Sequence, residues 1–293
     1  MKLLIYILFY PLIWIISTLP FRVLYLFSDF LFLLIYYVIG YRKRVVLYNL
    51  KLTFPEKSEK EILIIRKKFY HHFVDIFMEM IKSFTISAKE MDKRYIYTNN
   101  DYLNELYKDG KSVILMSSHY ANWEWILNLT NHVNYKCVGA FTKISNPYFN
   151  NAILKSRGRF GVQLVETSKT IRTMISDKKN KVQSIFGLLS DQSPQLNNNT
   201  YWSHFLGVKV PIHTGGETLA KKYDMNMVFM DTKKVKRGYY ESTFSLITKD
   251  AQSYSDYKLT DIFINKVEEQ VRNQPEYYFW THNRFKHKDK VPN

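Results

Sequence analysis

The chain has 293 residues, 46% of them hydrophobic, and its 42 Lys and Arg against 26 Asp and Glu leave a formal charge of +16. This length and apolar content exclude a disordered chain and suffice for a buried core without disulfides or metals. A single cysteine, Cys137, excludes intramolecular disulfides and cysteine-built zinc or iron–sulfur sites, and no dinucleotide-binding or P-loop glycine signature is present.

Residues 3–21 carry no charge and residues 23–41 carry one, Asp29. As helix, each run of this length spans about 28 Å, close to the apolar thickness of a bilayer. Pro20 marks a break between them. Lys2 lies at one end of the pair and Arg42, Lys43 and Arg44 at the other, which places both ends on the cytoplasmic side. The pattern predicts a helical hairpin, spanning or lying in one leaflet, and Ser28 and Asp29 favour the shallow arrangement. A single anchor followed by a buried core helix is the alternative. Removing residues 1–41 removes only Lys2, Arg22 and Asp29 among the charged residues, so the positive charge belongs to the body. It calls for an anionic partner: nucleic acid, acidic lipid or acidic protein.

Along the body, Ser58 and Glu61 have capping-box spacing ahead of Phe69, Phe73, Ile76, Phe77, Met80 and Phe84, which recur with helical period. His71 and His72 are adjacent, face different directions and read as ordinary helix residues. Residues 112–117, 136–141, 162–165, 182–189, 225–231 and 239–248 read as strands. Residues 122–132, a segment opened by Asn146-Pro147, one capped by Ser168, residues 214–223 and 260–273 read as helices. This alternation predicts an α/β fold with a mainly parallel central sheet flanked by helices.

The most informative segment is His119-Tyr120-Ala121-Asn122-Trp123-Glu124. His119 follows a buried strand, where ligands of α/β folds gather, and Glu124 falls on the first turn of the next predicted helix. An imidazole there is a general base near neutral pH, and a carboxylate past the turn can hold its other ring nitrogen. Such a base activates a substrate hydroxyl directly, with no serine or cysteine nucleophile.

HYANWE resembles the His-x4-Asp/Glu motif of glycerolipid-type acyltransferases, and its NWE form is similar to the late acyltransferases of lipid A biosynthesis. Further segments resemble that family in order: Asn146-Pro147 with Arg157-Gly158-Arg159; Ser190-Asp191-Gln192, where Ser190 stands in place of the family's Pro; Phe205-Leu206-Gly207 with Thr214-Gly215; and a closing run from Pro275 to Lys286 that includes His282 and Arg284. Asn49-Leu50 and Phe54-Pro55-Glu56 match its N-terminal region. The resemblance spans residues 5–288.

It implies a membrane-bound O-acyltransferase of the bacterial inner membrane, with its catalytic domain on the cytoplasmic side. The reaction moves a fatty acyl chain from an acyl-carrier-protein or acyl-CoA thioester to a hydroxyl of a lipid A precursor. Another acceptor, a lysophospholipid or an amino-acid lipid, is the alternative. Residues 1–41 would form the anchor and 42–293 the catalytic domain. His119 would be the base and Glu124 its support. Arg157 would stabilise the oxyanion or clamp a phosphate, and Asp191 would organise Arg157 or hold its loop. Asn122, Trp123, Arg159 and Gln192 would contact substrate. No metal or cofactor is implied, and the expected partners are a glycolipid acceptor, an acyl carrier protein and an anionic membrane surface, not nucleic acid.

Overall fold

Pro20 does separate two apolar helices, α1 (Lys2–Thr18) and α2 (Phe21–Leu33), in the computed structural model, which describes residues 1–291. The second continues as a π-helical stretch, Leu34–Ile39, and stops at Gly40, whose φ of 66° suits the left-handed cap. Only Phe21–Ile39, at 19 residues, is long and apolar enough to cross a membrane among the described residues, and α1 falls short of that length. Both helices pack on α4. Leu24, Ser28 and Phe32 are buried, while Leu4, Leu8, Leu26, Phe30 and Val38 on the outer faces are each more than half exposed.

Next come α3 (Lys43–Thr53) and α4 (Glu59–Lys82). The Ser58 capping box forms with both of its reciprocal bonds, which contribute about 1 kcal/mol. Ile62 and Phe69 on the buried face of α4 are nearly inaccessible, a burial worth about 1.5–3 kcal/mol each. Three short elements not expected from the sequence follow: α5 (Ala88–Arg94), β1 (Tyr95–Tyr97) and α6 (Asn100–Tyr107).

The alternating portion comprises β2 (Val113–Ser117), β3 (Lys136–Phe141), α7 (Pro147–Gly158), β4 (Gln163–Glu166), α8 (Thr170–Lys179) and β5 (Ser184–Leu189). A hairpin of β6 (Tyr201–Phe205) and β7 (Val208–Ile212) follows, then α9 (Gly215–Tyr223), β8 (Asn226–Lys236), β9 (Tyr239–Thr248) and α10 (Lys258–Asn273). The central sheet has the order β1-β9-β8-β2-β5-β3-β4, and every neighbouring pair is parallel except β8–β9. All of β2 is buried, as its unbroken apolar run requires of a central parallel strand. The expected α/β architecture is therefore present.

Three local readings change. Residues 122–132 form a turn and a 3-10 helix, Trp125–Asn131, rather than an α-helix, because Asn122 turns its side chain back on the backbone. Ser168 lies inside a 3-10 turn, and α8 starts two residues later with Lys169 at its cap position. The Phe205-Leu206-Gly207 motif is part of the β6–β7 hairpin; its turn is Leu206-Gly207, with positive φ at both residues, as a tight two-residue hairpin turn demands.

Candidate active site

The parallel pairing of β2 with β5 places Ser117 opposite Leu189. His119 and Asp191, each two residues past its strand end, consequently meet. Asp191 Oδ1 accepts from the His119 backbone N–H at 3.0 Å and bonds ring Nδ1 at 2.8 Å. A carboxylate only accepts, so this bond puts the ring proton on Nδ1 and leaves the Nε2 lone pair free. Asp191 is 1% exposed. Burial pushes its carboxyl up, but the His119 imidazole and the N–H bonds outweigh it and hold it below the usual range. His119 is partly exposed, with Trp123 edge-on against its ring at 5.4 Å.

The closing run of the chain clamps this turn. Phe279 N–H donates to the His119 carbonyl at 3.1 Å, Ala121 N–H donates to the Tyr277 carbonyl at 3.0 Å, and Tyr120 pairs with Tyr278 as an isolated antiparallel bridge. These bonds hold Ala121 in the left-handed region, φ 50°, which costs a residue with a Cβ about 1–2 kcal/mol. Asn49 Nδ2 in turn donates to the Trp280 and His282 carbonyls, and Arg284 Nη1 to the Pro211 carbonyl.

Glu124 does not support His119. It pairs with Arg157 near the end of α7, which donates from Nε to Oε1 and from Nη2 to Oε2, the latter at 2.9 Å. Asp191, expected to organise Arg157 or hold its loop, bonds His119, and Glu124, expected beside His119, bonds Arg157. The reason is topological: the β2–β5 pairing sets Asp191 beside His119, while Glu124 is engaged by Arg157.

The substrate-contact candidates divide. Trp123 lines the cavity described below, and Gln192 is half-buried beside Asp191. Asn122 is 1% exposed and spends its amide on protein groups: Oδ1 accepts from the Glu124 and Trp125 N–H groups, and Nδ2 donates to Glu79. Arg159 donates to the Ser83, Phe84 and Ile86 carbonyls and so satisfies the chain just past the end of α4. The polar atoms of both residues are directed to the protein scaffold.

A cavity of about 480 Å³ is lined by His119, Trp123, Glu124 and Arg157 and by residues of the 3-10 helix and the sheet. Its floor includes one transverse row, Leu115–Gly187–Gly139–Leu164, given by the strand registers. Two of the ten glycines in the chain sit in that row: at Gly187 the missing side chain leaves space open, while at Gly139 Leu164 and Val162 pack against the bare backbone. A glycine in mid-strand weakens the strand and often marks a close approach or a cavity, so the signal was in the sequence though not read from it.

A histidine ring bonded only through Nδ1 and lining a mainly apolar cavity suits acyl-group chemistry on an apolar chain, and the class this fold and site point to is an α/β acyltransferase. The chain belongs to the bacterial lipid A biosynthesis acyltransferase family, which it matches over residues 2–287. No curated protein matches it. The apolar helix Phe21–Ile39 suggests association with a membrane.

Proposed function

We propose that this chain is a membrane-surface O-acyltransferase in which His119 is the general base for transfer of a fatty acyl group from a thioester to a hydroxyl of a lipid A precursor. The observation that carries this reading is the Asp191–His119 pair, whose histidine lines the apolar cavity. His119 Nε2 takes the proton of the acceptor hydroxyl as its oxygen attacks the thioester carbonyl. Asp191 supports the resulting imidazolium, a role worth several powers of ten in analogous triads. The tetrahedral intermediate carries an oxyanion, for which the Arg157 guanidinium, braced by Glu124, is a donor. When the intermediate collapses, the carbon–sulfur bond breaks, the imidazolium gives its proton to the departing sulfur, and the products are an ester and a free thiol. The cavity takes the acyl chain of the donor.

Residues 1–41 act as the anchor and 42–293 as the catalytic domain. Tyr25, Ser28 and Asp29 of α2 are bonded to Glu79, Asp75 and Arg237 of the body, which supports a hairpin lying in one leaflet over a bilayer-crossing one. The site then faces the cytoplasmic side of the inner membrane, where the basic body meets anionic headgroups and an acidic acyl carrier protein. Purified protein given an acyl-carrier-protein thioester and a tetra-acylated, Kdo-bearing lipid A precursor should form an acylated product, and His119→Ala should abolish it. Full activity in that variant rejects the mechanism. Loss of an aminolipid rather than a lipid A acyl chain on deletion of the protein rejects the acceptor.

A further inference from the structure

Beneath the catalytic turn lies a second buried carboxylate, which the acyl-transfer scheme does not use. Glu79 of α4 is fully buried. Its Oε1 accepts from the Tyr25 hydroxyl of α2 at 2.8 Å, and its Oε2 accepts from the Tyr240 hydroxyl of β9 at 2.8 Å and from Asn122 Nδ2 at 2.7 Å. On its other side Asn122 Oδ1 accepts from the Glu124 N–H at 3.1 Å and the Trp125 N–H at 3.0 Å. An amide has one accepting and one donating end, so only one orientation of Asn122 serves both neighbours. In its ionised form Glu79 accepts and does not donate, and so selects that orientation. The bonds from Trp125 Nε1 go to the Glu79 backbone carbonyl and to Ser83, so changing the Glu79 side chain leaves them in place.

We propose that Glu79 is a positioning residue for acyl transfer: through Asn122 it fixes the turn that aims Glu124 at Arg157, and through Tyr25 it ties that turn to the apolar surface helix. One turn earlier on α4, Asp75 accepts from Ser28 of α2 and from Arg237, which also holds Asp29, so the same helix is fastened twice. Docking of α2 and ordering of the catalytic turn thus share one polar network. The role rests on the acyl-transfer function proposed above.

Reversing the polarity of the bond tests it. In the full-length protein, assayed from pH 8 upward to the alkaline range in which the two groups no longer share a proton, Asn122→Asp sets two carboxylates against each other. It should lower kcat about 100-fold, as small misplacements of catalytic groups do, with the thioester KM within about threefold. Adding Glu79→Gln to that variant supplies a donating amide opposite the introduced carboxylate, and kcat should recover to within about tenfold of the original. Both changes are nearly isosteric, and thermal melts of each variant separate lost positioning from lost folding. The role is overturned if Asn122→Asp keeps full kcat. It is overturned equally if the double variant, folded as well as the parent, is no faster than Asn122→Asp alone. If the unaltered protein transfers no acyl group, the function itself fails, and this role with it.

Discussion

Two buried carboxylates, Asp191 in the crevice and Glu79 beneath it, are pushed in opposite directions. Asp191 faces an imidazole and backbone N–H groups, and these overcome its burial and keep it ionised. Glu79 faces mainly hydroxyls and an amide; burial dominates and lifts its carboxyl to about 7, against the pull of Lys234. The difference separates two tasks. On the proposed mechanism, the carboxylate that supports a developing positive charge is kept charged by its partner, whereas the one that sets geometry through hydrogen bonds is a pure acceptor only above about pH 7.

The crevice side breaks most sharply at Arg157. Arg157→Lys removes the planar fork that holds both Glu124 oxygens and should cost about 100-fold in kcat/KM, read by steady-state acyl transfer. A loss under tenfold would make Arg157 a structural ion pair. The network side breaks at Arg237, which bridges the fully buried Asp75 and the half-exposed Asp29. Arg237→Ala should cost about 2 kcal/mol of stability, discounted for the partial exposure of the guanidinium. Denaturant titration measures it, and an unchanged midpoint contradicts the clamp.

A smaller effect sharpens the role of the cavity. A Cβ added at Gly187 meets only the Val138 carbonyl, at 4.0 Å, so larger side chains there extend into the cavity without disturbing the strand. Gly187→Val should shift the preferred acyl donor to shorter chains while leaving kcat on short thioesters intact, as chain-length competition assays would show. An unchanged preference would place the acyl chain elsewhere.

The smallest effect concerns pH and stability. The folded Glu79 carboxyl binds its proton more tightly than in the unfolded chain, where its pKa is about 4.3. Its contribution is therefore fully present below about pH 4.3 and is lost as pH rises through about 7. Glu79→Gln removes that titration, so the melting temperature of the parent should fall relative to the variant between pH 5 and pH 7. A constant difference across that window would show that burial does not raise Glu79.

The alternation of strands and helices was legible because buried parallel strands read as continuous apolar runs: β2 and β5 are such runs. The place of His119 just past a strand end was legible for the same reason, since it follows one of them. Its partner was not, because β5 lies beside β2 through a non-consecutive crossover that no local pattern records. The nearer carboxylate, Glu124, was the natural choice from spacing. Glu79 and Asp75 lie four residues apart within the apolar stripe of α4, and acidic residues in such a stripe are the signal that marks a buried polar network.

Asp191, rather than Glu124, is the carboxylate bonded to the ring of His119. The most direct test is kcat of Asp191→Asn, an isosteric change, measured with acyl thioester and lipid A precursor beside a thermal melt. A fall of about 10³-fold or more with folding retained is predicted, because the ring loses the carboxylate that fixes its tautomer and stabilises its protonated form. A kcat within about tenfold of the parent would contradict it and return the supporting role to Glu124.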